Sequence, residues 1–350
     1  MSVPSTKATG THESTRDEAM RPARRTRDED RRMRRSPLPS SFDGWAFRSS
    51  EAQLLLGLSP RRLRAPDIQH PHRGARSIGL DFERLRDRCR ALETLLPPDA
   101  VFSHVTALGL LGAPVPASAE LHVSVPVPRT PPRRPGVRGH SLTSVSARIL
   151  DDLPVVAAEA AWRQSASLLD RRELVAAGDS LVTGRRVAGV RRAGVTTIER
   201  LARTVDLDRG RPGNARARWA LARVRSGVDS AAETEIRLLL AGAGLPEPLV
   251  DHPIVVAGGL VLHSDIAYPE ARIDIEYEGD GHRADRATWY GDIERRELIE
   301  DAGWRMVRVA APALRDAAPL VGRIRNLLSI RAFGSQAQAQ ATRTHESRGR

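Results

Sequence analysis

The sequence predicts an α/β protein in which two smaller units precede a C-terminal domain that carries the chemistry. Three observations predict it. Phe82, Leu85, Cys89, Leu92 and Leu95/Leu96 recur at helical spacing, so residues 82–96 form an amphipathic helix. Leu121-His-Val-Ser-Val-Pro-Val alternates like a strand inside a stretch that also contains helical segments. From Ser230 onward a helix is followed by two alternating segments, Gly258–Tyr268 and Arg272–Gly279, on either side of Pro269-Glu270-Ala271.

At 350 residues the chain accommodates about two ordinary domains plus tails. Residues 1–41 and 331–350 are polar, charged and without apolar periodicity, and are expected to be disordered. The net charge is +12, of which residues 1–40 hold ten Lys/Arg against six Asp/Glu and residues 331–350 four Arg against Glu346. The body between them is only mildly basic. A basic tail neutralises phosphates, and it is also what a solvated terminus looks like; both readings stay open. Lys7 is the one lysine among 55 Lys/Arg, and Cys89 is the one cysteine, which excludes an internal disulfide and a cysteine-based zinc site. The longest apolar patches, such as Val101–Pro116, are too short and mixed for a membrane span, and no apolar leader follows the N-terminal charges, so a cytoplasmic protein with no membrane partner is expected.

Taken in order, residues 42–96 open with a short apolar helix ending at Gly57, after which Ser59 and Pro60 restart a second helix as cap and first residue. That is helix-turn-helix grammar, with His70–Arg76 as a turn or wing and Arg61, Arg62 and Arg64 as candidate DNA contacts. Residues 97–205 are mixed: a helix over Ser103–Leu111, a strand over Leu121–Val127, a Pro-rich loop over 126–135 and two helices within 154–182. Residues 206–227 are polar and Arg-rich and are expected to be a linker. Residues 228–330 form the last domain. There Ser230 caps a helix whose Ile236, Leu239, Leu240 and Ala243 share a face, stopped by Gly244.

Register decides whether the acids of this domain meet. A turn centred on Glu270 and Ala271 sets Asp265 opposite Glu276 and His263 opposite Glu278, with Cβ atoms of each pair about 4.5–5.5 Å apart. A slip of one residue would separate the carboxylates onto opposite faces. Two acids so placed repel unless a cation lies between them, and all-oxygen donors suit Mg²⁺ or Mn²⁺.

The segment from His263 through Asp265, Glu276, Glu278 and His282, continued by Asp292, Arg295, Arg296, Gly303-Trp304 and Val307-Arg308-Val309, resembles the very-short-patch-repair branch of the PD-(D/E)xK nucleases. The resemblance covers about 100 residues. It implies a restriction-endonuclease-like mixed sheet flanked by helices, with Glu233, Asp265 and Glu276 around the metal. The superfamily's lysine position is Glu278 here, which leaves His263, His282 or Arg272 to orient water or stabilise charge; His282 is the preferred general acid/base. Leu54–Leu63, Pro71–Gly74, Phe102-Ser103-His104 and Leu121–Val127 resemble the AbiEi-like antitoxins of type IV toxin–antitoxin systems, which implies a winged-helix-like segment followed by an α+β domain, and a cognate toxin as partner.

Plainer roles stand beside these. Glu233 with Ser230 makes a capping box. Asp274 and Arg272 read as a solvated strand edge, His104 and His252 as surface or satisfied core histidines, Trp289 and Trp304 as core, and Asp292 with Arg295 or Arg296 as a helix pair, although Arg296 could also reach a phosphate. The sequence therefore supports a Mg²⁺-dependent DNA endonuclease, with links to toxin–antitoxin or phage defence. Its rivals are a non-enzymatic DNA-binding regulator that keeps a degenerate nuclease fold, and a module that neutralises a partner toxin.

Overall fold

The computed structural model describes residues 42–143, 146–184, 186–187, 190–278 and 286–330. Both expected tails lie outside them, as do Gly279-Asp280-Gly281 and His282; the side chains of Trp289 and Asp292 are likewise not described. By contacts the chain divides into Met1–Asp43 and Gly44–Arg350, and all that follows concerns the second unit. It is mixed α/β, with helices and mixed sheets.

It opens with a ribbon of β1 (Trp45–Arg48) and β2 (Ala75–Ile78), paired antiparallel around α1 (Ser49–Leu56). Gly57 ends α1 in the left-handed region, at φ 62°, where glycine carries no Cβ penalty. The second helix of the expected helix-turn-helix shrinks to one 3₁₀ turn, Arg62–Arg64. Ser59 Oγ does accept the Arg62 N–H at 3.2 Å, as a cap should. Pro66 then ends the turn, because the residue before a proline is driven to extended backbone, and Ala65 sits at ψ 148°.

The amphipathic segment forms α2 (Leu85–Glu93), whose Cys89 and Leu92 are fully buried in the main core. That core lies on a six-stranded mixed sheet in the order β5-β6-β4-β3-β8-β7. The strands are β3 (Val101–Phe102), β4 (Leu121–Pro126), β5 (Arg133–Arg134), β6 (Val137–Leu142), β7 (Ala147–Leu150) and β8 (Leu153–Val156). The sequence reading found β4 alone, since β3 and β5 are too short for periodicity to register. Helices α3 (His104–Leu110), α4 (Ala158–Ser165), α5 (Arg171–Thr183), α6 (Ile198–Leu207) and α7 (Asn214–Leu221) build the rest of this unit around Phe102 and Trp162. A two-strand ribbon, β9 (Arg186–Val187) and β10 (Val190–Arg191), follows α5. The stretch 206–227 contains α7, and its Ala217, Ala220 and Val224 are buried in the same core. The chain is packed there by small apolar residues hidden within an arginine-rich sequence.

The last domain is a four-stranded sheet in the order β11-β12-β13-β14. Its strands are β11 (Leu249–Val255), β12 (Val261–Tyr268), β13 (Ile273–Glu278) and β14 (Arg305–Ala310). The first three pair antiparallel, and β13 pairs parallel with β14 after a crossover through α9 (Arg286–Asp301). One face carries Ile266, Tyr268, Ile273, Ile275, Val307 and Val309 against Ile236 and Leu240 of α8 (Ala231–Gly242) and against Leu320 and Ile324 of a C-terminal helix, residues 318–330. The other carries Ile254, Val256 and Met306 against Ile299 of α9. Helices thus cover both faces, so polar residues alternating along β13 need not reach solvent.

Candidate functional site

The β12–β13 turn places the acids. Ile266 pairs with Ile275, Ala267 with Asp274 and Tyr268 with Ile273, which is the register the turn residues predict. The paired residues end at Ile266 and Ile275; just beyond them Asp265 lies close enough to Glu276 to feel its charge. The turn itself is a 3₁₀ segment, Pro269–Ala271, and Arg272 takes a left-handed φ of 48°. Asp265 stands where β12 changes face: Leu262 packs under α9, whereas Ile266 packs under α8, although strict alternation would put both on one side.

The Tyr277 N–H donates to the Asp265 carboxylate. Burial, and next the neighbouring Glu276, nonetheless push Asp265 up to about 6. Glu233, 5 % exposed at the start of α8, is pushed up to about 7 by burial and then by Asp265. It also serves the helix: its N–H is capped by Ser230 Oγ at 3.2 Å, and its carboxylate accepts the Asp229 N–H at 2.9 Å. Capping and closeness to the acid pair therefore coexist in one residue.

Asp274 corrects the solvated-edge expectation. It is fully buried beneath α9, accepts a hydrogen bond from Ser264 Oγ on one carboxylate oxygen and has no partner among the described residues for the other. Burial first, then Glu276, push it up to about 7. Period-2 alternation assigned it to the face of Glu276 but could not tell that a helix covers that face at its end.

Basic side chains reach the cluster from sites that sequence reasoning gave other roles. Arg295 of α9, read as a helix-pair residue, places Nε at 2.9 Å and Nη2 at 2.7 Å from the same Oε1 of Glu276. Glu278 is exposed and pairs with Arg308 at 2.8 Å. His263 does not meet Glu278; its Nδ1 lies 2.8 Å from Asp251 on β11. Arg191 then links Asp251, at 3.3 Å, to Asp229, at 2.6 Å. Arg296 forms an exposed i,i+4 pair with Glu300 at 3.1 Å. Of the amino-terminal arginines, Arg62 is held by Asp67 at 2.8 and 2.6 Å, while Arg61 and Arg64 are exposed.

The donor set fits a hard divalent cation in chemistry: all oxygen, mutually repelling, and with one buried carboxylate oxygen on Asp274 orphaned. The side chains as they stand hold Arg295 as the counter-charge, and Glu233, Asp265 and Glu276 are not among the described groups of three whose ligand atoms all lie within 4.8 Å. A cation would bind as Arg295 yields its place on Glu276.

The raised acids set a pH dependence. The metal-free folded chain holds protons on Asp274 above the pH at which the unfolded chain releases them. That stabilisation is complete below the unfolded carboxylate range, near pH 4, and is lost as pH rises through about 7. Asp274→Asn removes it while keeping shape. In chelator the variant is expected to gain on the wild type in Tm between about pH 5 and pH 8, by several degrees on an effect of a few kcal/mol. Comparing the two melts cancels the opposite trend of His104 and His122, which burial holds below the usual imidazole range. A difference that stays constant with pH would refute the buried, uncompensated carboxylate.

No helix among the described residues is long and apolar enough to cross a membrane. No family model matches the chain. The chain is similar to two proteins of Mycobacterium tuberculosis, the uncharacterized protein MT2308 of strain CDC 1551 / Oshkosh and the uncharacterized protein Rv2248 of strain ATCC 25618 / H37Rv. Each is 28 % identical over 233 residues, covering 66 % of this chain and 82 % of the relative.

Proposed function

We propose that this protein is a divalent-metal-dependent DNA endonuclease whose site is built on Asp265 and Glu276, with a restriction-endonuclease-like C-terminal domain. The observation that carries this reading is the β12–β13 register, which brings Asp265 and Glu276 together beside Glu233 at the start of α8. Asp265 and Glu276 would hold Mg²⁺ or Mn²⁺, with Glu233 completing the set. The cation, when bound, supplies a Lewis acid for the phosphoryl oxygen and lowers the pKa of bound water. Without the cation Glu233 is pushed up to about 7 by burial and then by Asp265, and a bound cation would remove that cost by holding the carboxylate ionised. Arg295, released from Glu276, provides the positive charge that the superfamily draws from its lysine. Arg61, Arg64 and Arg296 face solvent, where phosphates can reach them.

One observation favours a second reading. Arg295 on Glu276 and Arg308 on Glu278 neutralise the acids internally, as a non-enzymatic DNA-binding regulator or antitoxin on a retired nuclease scaffold would do. In that case the β1–β2 ribbon and α1 would serve as the winged-helix-like contact to DNA, and a toxin would be the partner. Plasmid nicking separates the two. The endonuclease reading expects nicked circles with millimolar Mg²⁺ or Mn²⁺ and none in chelator. Intact supercoiled DNA under both conditions would leave the regulator.

A further inference from the structure

We propose that His104, His122 and His140 form a binding site for one Zn²⁺-class cation, in the six-stranded sheet unit and distinct from the carboxylate cluster. Among the described residues these three offer one ligand atom each, all within 4.8 Å of one another. The site follows from strand pairing. In the parallel β4–β6 ladder Ser124 pairs with His140, so His122, two residues before Ser124, lies on the same face. His122 Nδ1 and His140 Nε2 are 3.0 Å apart. The edge of a Zn²⁺ tetrahedron with Zn–N of about 2.0–2.1 Å is about 3.3–3.4 Å, so a cation replaces this hydrogen bond after a small opening.

His104 is held to the pair from the α3 side. The Ser103 N–H donates to the His122 carbonyl at 3.0 Å, and the His122 N–H donates to Thr106 Oγ1 at 2.8 Å. Ser124 Oγ donates to Ser103 Oγ at 2.7 Å, and Ser103 Oγ lies 2.9 Å from His104 Nδ1. Of these only the Ser103 Oγ contact reaches a ring nitrogen, Nδ1 of His104, the kind of outer partner that orients a metal-binding histidine. His104 also takes a left-handed φ of 52°, and its ring stacks on His140 at 3.8 Å, centroid to centroid, so binding a cation turns the His104 ring out of that stack to aim a lone pair at the ion. Burial, then mutual repulsion, hold His104 down to about 3, and burial then His140 hold His122 down to about 4, so both rings are neutral and keep a lone pair at physiological pH.

The donor chemistry selects the ion. Three imidazoles without thiolate or carboxylate suit Zn²⁺ and its borderline neighbours rather than Mg²⁺ or Ca²⁺. Three protein ligands leave a fourth position open, as in zinc sites that keep a water. A cavity of about 470 Å³ lined by His104, His140, Arg163, Gln164 and Arg211 gives the ion a route in and that position room.

The test uses the full-length chain, stripped with chelator and titrated with Zn²⁺ by calorimetry and with Co²⁺ by visible absorption. With millimolar Mg²⁺ present to occupy the carboxylate cluster, one Zn²⁺ per chain and the d–d absorption of four-coordinate Co²⁺ are expected. His122→Gln and His140→Gln should each weaken Zn²⁺ at least 100-fold, while Glu276→Gln leaves it unchanged. Should the histidine variants misfold, diethyl pyrocarbonate labelling of the wild type, mapped by mass spectrometry, replaces them: Zn²⁺ is expected to protect all three histidines. Absence of stoichiometric Zn²⁺ binding, binding that survives in folded variants, loss of binding in Glu276→Gln, or labelling indifferent to Zn²⁺ would each overturn the proposal. None of these readouts depends on DNA cleavage.

Discussion

Asp265→Asn is expected to abolish metal-dependent nicking, by about a thousandfold or more, while leaving the fold intact. Asparagine keeps an acceptor for the Tyr277 N–H that anchors Asp265, so β12 and β13 should hold their register. What changes is charge. The substitution removes one side of the paired carboxylates that would hold the cation, and losing several kcal/mol of transition-state stabilisation costs a factor of ten for each ~1.4 kcal/mol. It also relieves Glu233, which Asp265 pushes up, so the metal-free variant should melt no lower than the wild type near pH 8. Nicking assayed beside thermal melts with and without Mn²⁺ checks both parts. A folded variant that nicks as fast as the wild type would remove Asp265 from the chemistry.

The second large effect concerns the joint between the two sheet units. Asp179 of α5 and Arg237 of α8 are each 1 % exposed and bonded at 2.9 Å. Asp179 also accepts the Arg225 N–H at 2.7 Å and the Thr234 hydroxyl at 2.8 Å. Arg237 donates to the Arg223 carbonyl and to Glu247, both at 2.8 Å. Asp179→Ala leaves a guanidinium buried among donors that have lost their acceptor, at a cost of about 3–5 kcal/mol. Chemical denaturation should show that loss in the midpoint. Asp179→Leu combined with Arg237→Met should recover only part of it: no charge is left unpaired, but the Arg225 N–H and the Arg223 carbonyl lose their partners. A loss under ~1 kcal/mol for Asp179→Ala would mean that water reaches the pair.

The last domain was the most legible part of the sequence because its information is local. Pro269, Glu270 and Ala271 fix a short turn, and the short turn fixes the register that pairs Ile266 with Ile275, next to Asp265 and Glu276. Asp274 was not legible, because alternation gives a face but not what covers it, and α9 returns to cover that face after a crossover. Arg295 was missed for the same reason: helical spacing reports neighbours at i,i+4, whereas its partner lies across the crossover on β13. The second helix of residues 42–96 was over-read from Ser59-Pro60, although Pro66 was there to end it. The three histidines were invisible as a group. They stand on α3, β4 and β6, and only the parallel pairing of β4 with β6 brings them together.

Crystals grown or soaked with Mn²⁺ test by anomalous scattering whether Asp265 and Glu276 hold a divalent cation. A peak between the two carboxylates is expected, with Arg295 withdrawn from Glu276 Oε1 and Glu233 bound directly or through water. An empty position there at saturating Mn²⁺, with Arg295 still on Glu276, would contradict it.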